Sequence, residues 1–216
     1  MSFDEMGTKM KLPRLTPEQA WILNQHVMCG KSQGTPEQIA EAKRLNQEFI
    51  QQYREIDSID LYLALSMRSL EDIQGAEIIC NALEEKGYSV YNPGNNCETS
   101  RYTKHDLEKH MLLISKALVL DAGTKDSGGK FIEACNAKFE YCMPIFFLAE
   151  DEHQYKVYHD YHPMGVLLGP HVCRTLDELM LCLTDELNGR SNSKAERVEG
   201  KTNLVCSNCD SVVDRY

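Results

Sequence analysis

A chain of 216 residues and 24.6 kDa, 42% hydrophobic and 26% charged, can bury one core and carry appendages, and its composition excludes a disordered or fibrous protein. A formal charge of −10 and a pI near 5.2 give no general attraction to polynucleotides or anionic membranes, so neither is expected as a partner. One small nucleotide or nucleoside stays compatible with that charge, because a few amides and one basic residue can hold a single phosphate.

Residues 1 to 11 contain no apolar run of signal-peptide length, and no stretch of about 18 apolar residues occurs anywhere. With nine cysteines, an odd number sitting mostly in hydrophobic periodic segments, free thiols and a cytoplasmic location are expected. Thr16-Pro17-Glu18-Gln19 and Thr35-Pro36-Glu37-Gln38 each place an N-cap threonine, a first-turn proline and a capping-box glutamine in order. They predict helices to about Met28 and Tyr53, joined by a turn holding Gly30 and Gly34. Residues 1–57 are therefore expected to form a helical hairpin ahead of the main domain.

From Ile59 the period changes. Ile59 to Leu65 reads as a strand, followed by a helix through Ile73, Ala76, Ile79 and Leu83 that stops at Gly87. Tyr88 to Tyr91 predicts a second strand closed by Asn92-Pro93-Gly94, then come a helix from about Thr103 to Ser115 and a third strand, Ala117 to Leu120. A glycine-bearing loop, Asp121 to Gly129, leads to a helix from about Lys130 to Tyr141 and a fourth strand, Pro144 to Leu148. After a loop rich in His and Tyr, Gly165 to Leu168 is expected as the fifth strand and Leu176 to Leu187 as the last helix. The polar segment 188–216 reads as a flexible tail with one Cys-x-x-Cys.

Strands alternating with helices imply an α/β domain over residues 58–187, a flavodoxin- or Rossmann-like doubly wound parallel sheet of five strands. In such a sheet a ligand sits outside the carboxyl ends of the first and third strands, where strand order reverses. Ser66, Arg68 and Ser69 occupy the first of those ends. They suit a phosphate held by hydroxyls, a guanidinium and amides, and equally an exposed turn with a helix cap at Ser69. Ser127, Gly128 and Gly129 permit close backbone approach before a helix, or simply form a turn. Glu133 lies in the otherwise apolar Phe131 to Cys135, either solvated in a pocket or favoured in the first turn by the helix dipole.

In order along the chain, Leu61 to Ala64 with Ser66 to Ser69, Gly87 to Pro93, Asp106, and Ser127 to Ala134 resemble the nucleoside 2-deoxyribosyltransferase-like superfamily. The nearest branch is the 2′-deoxynucleoside 5′-phosphate N-hydrolases, and the resemblance spans roughly residues 59 to 148. It implies that Glu133 is a carboxylate nucleophile toward C1′ of a sugar. It further implies that Asp106 orients the sugar and protonates the leaving base, and that Ser66, Arg68, Ser69, Ser127, Gly128 and Gly129 contact a 5′-phosphate. Leu65, Asn92 and Asp121, at the ends of the first three strands, are expected to wall the sugar and base. Lys116 and Phe131 depart from the family's usual acidic residue and glycine.

The expected function is cleavage of the N-glycosidic bond of a (deoxy)nucleoside 5′-monophosphate by hydrolysis, or by deoxyribosyl transfer to another base, with no cofactor and in a homodimer or larger homo-oligomer. A binding module without turnover, or a glutamate enzyme cleaving NAD as Toll/interleukin-receptor domains do, are the alternatives. No resident metal is expected; the weak zinc option is Cys206 and Cys209 completed by His26 and Cys29. His153, His159, His162 and His171 read as solvated loop residues.

Overall fold

The computed structural model describes residues 11–31, 33–95, 101–121, 128–149, 151–161 and 163–192. Helices α1 (Pro17–Cys29) and α2 (Pro36–Arg54) both start with the expected capping boxes, in which Thr16 and Gln19, and Thr35 and Gln38, exchange side-chain bonds with each other's amides. Gly30 ends α1 in the left-handed conformation (φ 64°), which glycine adopts at no steric cost.

Five parallel strands follow: β1 (Ile59–Ala64), β2 (Val90–Tyr91), β3 (Ser115–Asp121), β4 (Ile145–Leu148) and β5 (His171–Cys173), in spatial order 2-1-3-4-5. This is the doubly wound arrangement expected. The register sets Tyr62 between Tyr91 and Leu118, and Ala64 beside Leu120. Helices α3 (Leu70–Glu85) and α8 (Leu176–Asn192) cover one face through Ala76, Cys80, Leu83, Leu179 and Leu183. The other face carries α4 (Arg101–Leu113), α5 (Gly128–Cys135) and the end of α2, packed through Leu107, Met111, Ala134, Ile50 and Tyr53. Apolar side chains on both faces are what a buried parallel sheet requires.

Several boundaries differ from expectation. Gly165 to Leu168 is not a strand: it belongs to helix α7 (Pro163–Leu168), and the fifth strand is His171–Cys173. Pro163 supplies a pre-set first helical residue, and a four-residue apolar run cannot by itself distinguish helix from strand. The loop expected at 153–162 contains α6 (Glu152–Lys156), capped by Asp151, and a π-helical turn, Val157–Tyr161. Helix α5 begins two residues early, at Gly128, and gives way to π-helical Asn136–Glu140. The last helix runs to Asn192, beyond the start expected for the tail; the remainder of that tail lies outside the described residues.

The hairpin is welded to the sheet domain. Leu15, Ala20, Leu23 and Ala42 enclose Ile73 of α3 in a shared apolar cluster. The Arg14 guanidinium, 7% exposed, donates to Glu77, Glu84 and Asn81 of α3, with a 2.5 Å contact to Glu84. Burial opposes its charge, yet the two carboxylates outweigh that and hold its pKa above the ordinary arginine value. Asn95, fully buried, donates to both Glu77 and the Leu15 carbonyl, closing the network onto the end of β2.

Asp60, buried in β1, accepts from the Ser89 amide and hydroxyl and from Lys116 Nζ at 2.8 Å. The lysine at position 116 thus neutralises a carboxylate that burial alone would make costly.

Near α7, a Cβ on Gly165 would lie 2.0 Å from the Tyr158 carbonyl oxygen. Gly165→Ala is expected to destabilise the protein by about 1–3 kcal/mol through overpacking, read as a lower urea midpoint. An unchanged midpoint would mean that the π-helical turn yields freely.

Candidate functional site

The switch point lies where β1 and β3 end, and the residues there explain how it is built. Ser69 caps α3 by accepting the Asp72 amide at 3.1 Å. Asp72 answers across the turn: one of its carboxylate oxygens, Oδ2, accepts both the Ser66 hydroxyl and the Arg68 amide at 3.0 Å. Ser66, Arg68, Ser69 and Asp72 therefore form one closed turn. Ser66 is nearly buried in it, whereas Arg68 is exposed.

Beside that turn, on the α3 face, opens a cavity of about 520 Å³ lined by Leu65, Ser66, Glu71, Asp72, Gly75, Ile78, Asp121 and Asp151 among others. Four of its residues are acidic, and none of the described residues lining it is Lys, Arg or His. Leu65 and Asp121, expected to wall the sugar and base, both line this cavity, and Asn92 is not among its lining residues. The Asp121 carbonyl accepts Lys130 Nζ at 2.7 Å, tying the end of β3 to the first turn of α5. Asn92 is buried and used locally, accepting the Gly94 amide and donating to Asn95.

Glu133 projects from α5 on the opposite face of the sheet and accepts the Tyr62 phenol at 3.0 Å. Tyr62 is fully buried in β1, and its pKa is raised well above the usual tyrosine range, first by that burial and then by the negative charge of Glu133 and Glu108. The phenol consequently stays protonated and donating throughout the neutral range. Behind it the rings of Tyr62 and Tyr91 lie 5.4 Å apart, and Tyr53 of α2 meets Tyr91 edge-on at the same distance. The Tyr53 hydroxyl in turn donates to the Pro13 carbonyl.

On α4 the carboxylate that reaches Tyr62 electrostatically is Glu108, while Asp106 is exposed. Two residues along a helix are about 200° apart around its axis, so the two cannot share a face. Phe131, on the same turn as Glu133, stacks against Tyr158 at 6.3 Å. Gly128 and Gly129 form the first turn of α5, and Ser127 lies outside the described residues.

Tyr62, Glu108 and Asp72 were not singled out by sequence reasoning. An aromatic residue inside an apolar strand reads as core, and an acid at the third helical position reads as dipole compensation. Of the four residues named for zinc, Cys206 and Cys209 lie outside the described residues, Cys29 is an exposed free thiol, and the His26 ring contacts Lys43 Nζ at 3.0 Å. Among the described residues no group of three or more ligand-type side chains could hold a metal ion, and no helix is long and apolar enough to cross a membrane.

The geometry offers a carboxylate with a fixed donor on one side of the switch point and a self-closed polar turn on the other. No protein-family model, no curated protein and no solved structure matches the chain.

Proposed function

We propose that the protein cleaves the N-glycosidic bond of a (deoxy)nucleoside or its 5′-monophosphate in the cytoplasm, with Glu133 as nucleophile, as the likeness to the nucleoside 2-deoxyribosyltransferase-like superfamily implies. The observation that carries the reading is the Tyr62–Glu133 hydrogen bond beside the switch point. A half-buried carboxylate held by a buried phenol is fixed in orientation, which favours attack on an electron-poor anomeric carbon.

In the first step a Glu133 oxygen forms a bond to C1′ as the C1′–N bond breaks. The bonding pair goes to the base nitrogen, which takes up a proton. In the second step water attacks C1′, the ester opens to restore the carboxylate, and the proton of water is lost to solvent. If a second base attacks instead of water, the same intermediate gives transfer. The family likeness assigns that proton to Asp106 of α4, and Glu108 is the α4 carboxylate that reaches Tyr62 electrostatically. Exposed Ile132 on α5 and Val166 on adjacent α7 support a homodimer formed next to the site.

Incubation with the common deoxynucleosides, ribonucleosides, their 5′-monophosphates and NAD, followed by chromatography, is expected to show free base from at least one nucleoside-type compound. Release of nicotinamide alone would favour NAD cleavage. Binding without any release would make the protein a sensing module.

Tyr62 acts through Glu133 as a positioning residue. Tyr62→Phe removes the donor that fixes the Glu133 carboxylate, so the loss is expected in kcat and not in KM. With it, kcat/KM is expected to fall roughly 10- to 100-fold. A lowered melting temperature with kcat unchanged would instead indicate a packing role.

A further inference from the structure

We propose that Cys173 and Cys182 are a redox pair, which hydrogen peroxide closes into a disulfide that clamps the last helix to the edge of the sheet. Cys173 ends β5, the outermost strand, and Cys182 lies in the second turn of α8, which packs on that strand. Both are free thiols in one apolar cluster with Phe146, Leu179 and Leu183. The Cys173 thiol donates a hydrogen bond to the Cys182 sulfur, so two reducing groups from different elements already meet. They lie across the sheet from Glu133, and the inference stands apart from the proposed glycosidase activity.

Buried thiols are often plain core residues; what distinguishes this pair is unequal access. Cys173 is 1% exposed, whereas Cys182 is half-buried and reaches solvent. Burial first, and then the charge of Cys182, push the Cys173 thiol up to about 12, so it keeps its proton at neutral pH and Cys182 meets the oxidant. The Cys182 thiolate attacks one peroxide oxygen, the O–O bond breaks, and the other oxygen leaves as water, which makes a sulfenic acid. The Cys173 sulfur then bonds to the sulfenic sulfur as its S–O bond breaks, and the Cys173 proton departs with the hydroxide as a second water. The two thiols together lose two electrons, and one peroxide is reduced to two waters. Small thiols reverse the link by exchange, as befits a pair that is reduced at rest.

The test treats the full chain with hydrogen peroxide, blocks the remaining thiols with N-ethylmaleimide and maps the tryptic peptides by mass spectrometry. Arg174 lies between the two cysteines, so trypsin frees each on its own peptide and a link between them shows directly. A Cys173–Cys182 linked pair is expected, two hydrogens lighter than the separate peptides and abolished by dithiothreitol. Once linked, the protein is expected to melt roughly 4–8 °C higher, a shift that Cys182→Ser loses. Cys173→Ala is expected to stop the reaction at the sulfenic acid, which dimedone traps on Cys182. Oxidation of exposed Cys29 with Cys173 and Cys182 both still free overturns the proposal, and so does a disulfide from either of them to another cysteine in its place. The peptide map needs no variant, so a substitution that fails to fold leaves its answer standing.

Discussion

Glu133→Gln is expected to lower base release by roughly 10⁴-fold or more, the scale on which an enzyme loses its nucleophile, while leaving the fold and the affinity for the nucleoside in place. Glutamine keeps the volume of the side chain and an oxygen that accepts the Tyr62 phenol, so the contact at 3.0 Å can persist. What disappears is the negative charge and the ability to form a stable ester at C1′. Three measurements separate the possibilities: turnover by chromatography, nucleoside affinity by calorimetry and melting temperature by circular dichroism. Retained turnover would show that another group attacks the sugar, and lost affinity with lost turnover would make Glu133 a binding residue.

The second large effect concerns stability. Arg14→Met takes the cation from between Glu84, whose side chain is 7% exposed, and Glu77, at 22%. A buried carboxylate stripped of its partner costs about 3–5 kcal/mol, which for a chain of this length lowers the melting temperature by roughly 6–20 °C. Arg14→Lys keeps the charge but not the planar fork that reaches two carboxylates and Asn81, and it is expected to fall between. High salt should rescue neither, since a buried pair is little screened. A melting temperature unchanged by Arg14→Met would mean that the segment before α1 is not held through this network.

Much of the architecture was legible because it rests on short-range signals. Thr16 and Thr35 announce their helices by the same capping chemistry that the structure displays. The apolar run from Ile59 can only be a strand buried on both faces once helices flank it. The fifth strand was misplaced because His171 to Cys173 has three residues and an exposed histidine, whereas Gly165 to Leu168 is the more apolar run. At the site, Glu133 stands out as a lone acid in an apolar stretch. Glu108 does not, because only the rotation of α4 about its axis decides whether it or Asp106 turns inward. Asp72 was hidden for a different reason: its meaning lies in where its carboxylate goes, back across the turn to Ser66, and spacing alone does not reveal that direction.

A run of packed tyrosines leads from Pro13 through Tyr53 and Tyr91 to Tyr62 and so to Glu133. The leading helices are thus no detachable ornament but part of the support behind Glu133. A chain trimmed to start at the sheet would keep Tyr62 and Glu133 and lose Tyr53, which packs behind them.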